Sequence, residues 1–184
     1  MRIVLGMSGA SGAAYGVAIL ENLKRMGIET HLIVSKWARK TISIETDFSY
    51  GHIASMAYRH YDPDDMTAGP ASGSFRHRGM MIAPCSMKTL AAIACGYSDN
   101  LISRAADVTI KERRPLVLLV RETPLSPIHL ENMLKLARLG VVIMPPVPPM
   151  YSRPATLEDI VRQTAGRALD CLGIDSGLVH RWGE

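Results

Sequence analysis

Cysteine is scarce in this chain and follows no pattern. Cys85, Cys95 and Cys171 form no C-x-x-C pair. An odd count without a leader segment leads us to expect a reduced, cytoplasmic protein rather than a disulfide-stapled secreted one. The six histidines are dispersed without metal-ligand spacing, so no metal is expected. Apolar runs are short. None reaches the ~20 residues that a membrane-spanning helix requires. Aromatics are 5% of residues and the net charge is only +4, with Lys and Arg scattered except at Lys111-Glu112-Arg113-Arg114. The basic, aromatic-interleaved stripe of a nucleic-acid binder is therefore missing. Two phosphate signatures are missing as well. No G-x-x-x-x-G-K-[ST] occurs, and the glycines Gly6, Gly9, Gly12 and Gly16 do not make G-x-G-x-x-G. The second apolar segment, Glu29-Thr30-His31-Leu32-Ile33-Val34, runs into Ser35-Lys36 and lacks the acid that holds a ribose hydroxyl, which argues against NAD.

What is present is a strict alternation. Apolar, largely β-branched runs at 3–5, 32–34, 80–83, 116–120 and 141–144 are separated by helical patterns at 13–26, 36–45, 88–95, 101–113, 127–139 and 156–172. The runs are apolar throughout, as in strands buried on both faces. The expected architecture is α/β: a Rossmann- or flavodoxin-like three-layer sandwich with a mostly parallel central sheet. At 184 residues the chain is most simply one domain, 1–184, with a C-terminal tail from about 173. A short strand is expected at 57–60, and the polar, Pro/Gly/Ser-rich 62–78 as an irregular excursion.

In such folds ligands bind beyond the carboxyl ends of the strands. After the first strand come Ser8-Gly9-Ala10-Ser11-Gly12 at a helix start, a natural anion site where backbone N–H groups and the helix dipole point outward. Ser11 is placed to act near the N-cap. Ser35-Lys36 follow the second strand, Pro84-Cys85-Ser86-Met87-Lys88-Thr89 the third, and Arg121-Glu122 the fourth. A proline-rich stretch ending at Met150-Tyr151 follows the last. Ser35 and Ser86 could equally be helix caps, Cys85 a packed small hydrophobe and Lys88 a solvated charge. Arg104, Asp107 and Lys111 share one helical face, which reads either as an ion-pair ladder or as a cationic patch for another subunit's ligand. Jointly these groups suggest a phosphate-bearing ligand.

The ordered set Gly9-Ala10-Ser11-Gly12-Ala13, Ser35-Lys36, Glu45-Thr46, Pro84-Cys85-Ser86 with Thr89, Arg104–Val108, Lys111–Leu118, Arg121-Glu122, His129-Leu130 and Arg181-Trp182-Gly183-Glu184 resembles the UbiX-type flavin prenyltransferases nearly end to end. Met87-Lys88 resembles the subset associated with aromatic-acid decarboxylases. The resemblance implies transfer of a dimethylallyl group from dimethylallyl monophosphate to N5 and C6 of reduced FMN. The prenylated FMN then serves UbiD-type decarboxylases. It implies a metal-independent enzyme in a homo-oligomer, expected as a dodecamer, with sites at subunit contacts.

By position, it implies that Gly9, Ala10, Ser11, Ser35, Ser86, Met87, Lys88, Thr89 and Arg121 hold FMN, with Ser11 near N5. Arg104, Lys111, Arg121, Glu122, Tyr151 and Arg167 would hold the prenyl phosphate. Ser11, Glu45, Glu122, Lys111 and Trp182 are the catalytic candidates, with Glu45 and Glu122 for acid–base work and Trp182 closing the site. The alternatives are a flavin-binding subunit of a phenolic-acid decarboxylase system and a cysteinyl-type flavin decarboxylase. The latter's histidine is absent from the first helical segment.

Overall fold

The computed structural model describes residues 1–183; the last residue of the expected tail, Glu184, lies outside the described residues. Six strands form one sheet: β1 (Arg2–Met7), β2 (Glu29–Val34), β3 (Arg59–Tyr61), β4 (Gly79–Cys85), β5 (Leu116–Val120) and β6 (Val142–Ile143). Their order is β3-β2-β1-β4-β5-β6 and every pairing is parallel. The first strand in sequence is central, and the chain winds outward from it in both directions. That places the switch point, and hence the ligand crevice, between β1 and β4.

Strand residues alternate between two cores. Ile3, Leu5, Met7, Leu32, Val34, Met81, Ala83, Val117 and Leu119 face one. It is closed by α1 (Ala13–Arg25), α2 (Lys36–Glu45), α3 (Tyr50–Met56) and α7 (Leu157–Asp170). Val4, Ile33, Met80, Ile82, Leu116, Leu118 and Val120 face the other. It lies under α4 (Met87–Cys95), α5 (Leu101–Lys111) and α6 (Pro127–Arg138). Both faces being covered explains why the strands read as unbroken apolar runs.

Helix starts are chemically marked. Ser35, Ser49, Ser86, Asn100, Ser126 and Thr156 each cap the helix that follows them. The bond from Ala38 N to Ser35 Oγ is 3.1 Å and that from Thr89 N to Ser86 Oγ is 3.3 Å. The capping reading of both serines therefore holds. α1 packs closely on β4 through Gly16. A Cβ there would meet the Ala83 carbonyl oxygen and stand 2.6 Å from Met7 Cε.

Three local expectations are corrected. α3 was not foreseen, because seven residues including Gly51 show no full apolar period. β3 covers Arg59–Tyr61 rather than 57–60, in register with His31–Ile33. β6 is two residues long, because the prolines from Pro145 onward cannot continue a ladder. The 62–78 excursion is irregular, with one 3-10 turn at Gly69–Ala71. Its return leg is tied to the starting edge of the sheet: Arg114 donates to the carbonyls of Phe75 and Gly73, and Arg2 to that of Arg76.

Candidate active site

A cleft of about 320 Å³ opens at the carboxyl edge of the sheet beside β1, β2 and β4. Its hydroxyl wall is Ser8, Ser35, Ser86 and Thr89, with Gly9 and the ammonium group of Lys88. Trp37, Asn100 and Ile102 complete it. Ser8 is a buried staple. Its Oγ donates to the Pro84 carbonyl at 2.9 Å and accepts from Ser86 N at 2.8 Å, locking the ends of β1 and β4 together. The starts of α2, α4 and α5 meet here, so first-turn N–H groups without intrahelical acceptors converge at one place. Gly9 is required sterically, since a Cβ would collide with Trp37. Lys88 reaches Asp99 at 3.3 Å. Ala10 is buried, and Met87 packs against the core beneath α4 and α5. Cys85 is fully buried, and burial pushes its thiol up to about 12, so it is a packing group and not a nucleophile.

The start of α1 differs from expectation. Gly12 is its N-cap with φ +103°, a conformation that suits glycine, and no side chain at the cap itself takes the first N–H groups. Glu45, at the far end of α2, does so: its Oε2 accepts from Gly12 N at 2.8 Å and Ala13 N at 2.9 Å. The anion at this helix terminus is the chain's own carboxylate. The Ser11 hydroxyl donates to it rather than capping the helix. Burial pushes the Glu45 pKa up, but Ser11, the two N–H groups and the charge of Arg121 outweigh it and hold the carboxyl below the usual range. Arg121 follows β5, and its backbone N–H donates to the Cys85 carbonyl at 3.1 Å. Burial raises the Tyr15 phenol, with Arg121 opposing. Glu122 is exposed and accepts from Thr123 N.

The second group of cations lies on α5. Arg104 pairs with Asp107 at 2.7 Å and donates to the Ala71 carbonyl at 3.1 Å. Lys111 pairs with Glu112 rather than Asp107, so only the first rung of the expected ladder forms. Lys111 precedes β5 and Arg121 follows it. The four steps from Leu116 to Val120 separate the ends of β5 by about 13 Å at ~3.3 Å per residue.

The third group is at the tail. Tyr151 and Trp182 make an edge contact, ring centroids 5.1 Å apart at 88°. They line a second cavity of about 350 Å³ with His180, Arg181 and Gly183. It shares no lining residue with the first cleft. Arg167, on α7, pairs with Asp170 at 2.7 Å. The structure brings five of the expected flavin-side residues, Gly9, Ser35, Ser86, Lys88 and Thr89, into one cleft and Tyr151 against Trp182; Ala10, Ser11, Met87 and Arg121 do not line that cleft, and the expected prenyl-phosphate residues fall in separate patches of the chain.

Trp37 and Asn100 were missed by the sequence reading. Each had a local signal: an aromatic in the first turn after the second strand, and an Asn immediately before the apolar start of α5.

The cleft's donors suit a ligand carrying both phosphate and a flat ring. Hydroxyls, helix starts and Lys88 serve the first, Trp37 and Ile102 the second. Known proteins agree. The flavoprotein family model matches residues 1–169. The flavin prenyltransferase UbiX of Thauera aromatica is 52% identical over 182 residues, covering 99% of this chain and 94% of that one. The solved structure of AnUbiX (PadA1) in complex with FMN and dimethylallyl pyrophosphate superposes with a TM-score of 0.98 at 51% identity, covering 100% of this chain and 97% of that one. A dodecameric FMN-dependent UbiX-like decarboxylase from Escherichia coli O157:H7 does so at 0.98 and 50%, with full coverage of both chains. The chain belongs to the flavoprotein family, among its UbiX-like flavin prenyltransferases.

Proposed function

We propose that this protein is a flavin prenyltransferase. It takes reduced FMN and dimethylallyl monophosphate to prenylated FMN and phosphate, and supplies the product to a UbiD-type decarboxylase. One observation carries the reading: the hydroxyl- and Lys88-lined cleft stands beside a separate cation, Arg121, held next to the Ser11–Glu45 junction. Two sets of anion-binding groups suit two phosphates.

In this reading Gly9, Ala10, Ser35, Ser86, Lys88 and Thr89 hold the FMN phosphate and its chain, and Met87 backs them. When bound, FMN supplies the nucleophilic ring. Glu45 stays ionised and is a poor proton acceptor, so its work is to fix Ser11, whose hydroxyl oxygen can then accept from an N–H of the ligand. Proton removal falls to Glu122, exposed beside Arg121, or to the departing phosphate. Arg104, Lys111, Arg121 and Arg167 stabilise the leaving phosphate. Tyr151 and Trp182 shelter the allylic cation with their π faces.

Because Lys111 and Arg121 stand at opposite ends of β5, one phosphate reaches both only between chains. We therefore place the reaction at subunit contacts in a homo-oligomer, a dodecamer like the solved relative. The chain acts as one domain in the cytoplasm; no described helix is long and apolar enough to cross a membrane.

Purified protein given reduced FMN and dimethylallyl monophosphate without oxygen should yield a flavin heavier by one prenyl unit by mass spectrometry. Recovery of unmodified FMN alone would overturn the reading. Glu122→Gln and Lys111→Ala should each lower turnover by at least about 100-fold while leaving FMN binding within about twofold.

A further inference from the structure

We propose that Gln163 is a positioning residue for prenyl transfer: it clamps the C-terminal strap along α7 and thereby fixes Trp182 against Tyr151. The role in transfer rests on the functional reading above; the clamp itself does not.

The strap from Ser176 to Gly183 has no regular secondary structure, and the Trp182 indole is 79% exposed. Burial of its own surface therefore does little to hold that ring in place. The fastening comes from one stripe of α7. Gln163, only 5% exposed, takes both backbone groups of one strap residue: its Nε2 donates to the His180 carbonyl at 3.0 Å, and His180 N donates to its Oε1 at 2.8 Å. The carboxamide supplies donor and acceptor side by side, where an ionised carboxylate of the same shape would only accept. Three residues on, Gly166 leaves room for the strap; a Cβ there would stand 2.8 Å from Val179 Cγ2 and 3.0 Å from Leu178 Cβ. Seven residues on, Asp170 accepts from Arg181 at 3.1 and 3.3 Å. Positions 163, 166 and 170 share a helix face, so α7 presents an amide, a gap and a carboxylate in the order in which the strap passes. Tyr151 donates to the same His180 carbonyl at 3.3 Å. His180 thus joins the clamp to the aromatic pair, two residues before Trp182.

The test uses the full chain with Gln163→Leu and Gly166→Ala. The first leaves the His180 N–H unpaired and its carbonyl with Tyr151 alone. The second displaces the strap by crowding, while alanine favours the helix that carries it. In both, hydrogen exchange at the His180 amide should rise about tenfold or more. The turnover number for prenylation of reduced FMN should fall about tenfold, with the FMN dissociation constant unchanged within about twofold. Unchanged exchange in both variants overturns the clamp. Faster exchange with unchanged turnover and KM overturns the positioning role. If the wild-type protein itself transfers no prenyl group, the functional reading and the role fall together, while the exchange data still report whether Gln163 clamps the strap.

Discussion

Glu45 occupies the place where an external anion was expected. Its carboxyl is held below the usual range in the folded chain, so it adds stability at pH above the unfolded carboxyl's pKa of ~4.3 and loses it as the pH falls through the folded value. At neutral pH, Glu45→Gln should destabilise the protein by roughly 0.5–1 kcal/mol, the worth of an anionic cap at a helix start. Thermal melts followed downward from pH 6 should show wild type losing that advantage until the two proteins converge. Parallel acid responses would mean that the carboxylate is not ionised at the helix. The cap was illegible in the sequence because its partners lie 33 residues apart, beyond any local pattern. Ser35 and Ser86 were legible both as caps and as site candidates: each caps its helix, and each also lines the cleft.

Among the elements, the long apolar strands and their helices could be read directly, since two-sided burial leaves an unmistakable pattern. The pieces that escaped were short or at the edge: α3, the frame of β3 and the extent of β6. Edge elements bury little, and little pattern marks them. The tight packing of α1 on β4 at Gly16 is more informative about stability. At Gly16, α1 touches the Ala83 carbonyl, so Gly16→Ala should force α1 away from β4 and cost about 1–3 kcal/mol, read as a lower urea midpoint with unchanged slope. An unchanged midpoint would mean that the contact relaxes without strain.

At the scale of the whole molecule, the proposed reaction needs groups that one chain keeps apart. Lys111→Ala and Arg121→Ala proteins, each inactive alone, should regain a fraction of wild-type turnover when coexpressed as mixed oligomers, because some contacts then combine an intact Lys111 from one chain with an intact Arg121 from another. Mixed oligomers as inactive as the parents would place both residues in a single chain's site. The helical face shared by Arg104 and Lys111 already pointed to another subunit's ligand, but the ten residues from 111 to 121 gave no measure of how far apart the two cations stand. β5 intervenes, and it acts as a ruler. In the proposed reaction its span sets the distance between the cation a subunit would lend to its neighbour and the one it would keep. Lengthening it by two residues would keep every side chain on its proper face yet break the spacing that the proposed sharing between subunits needs.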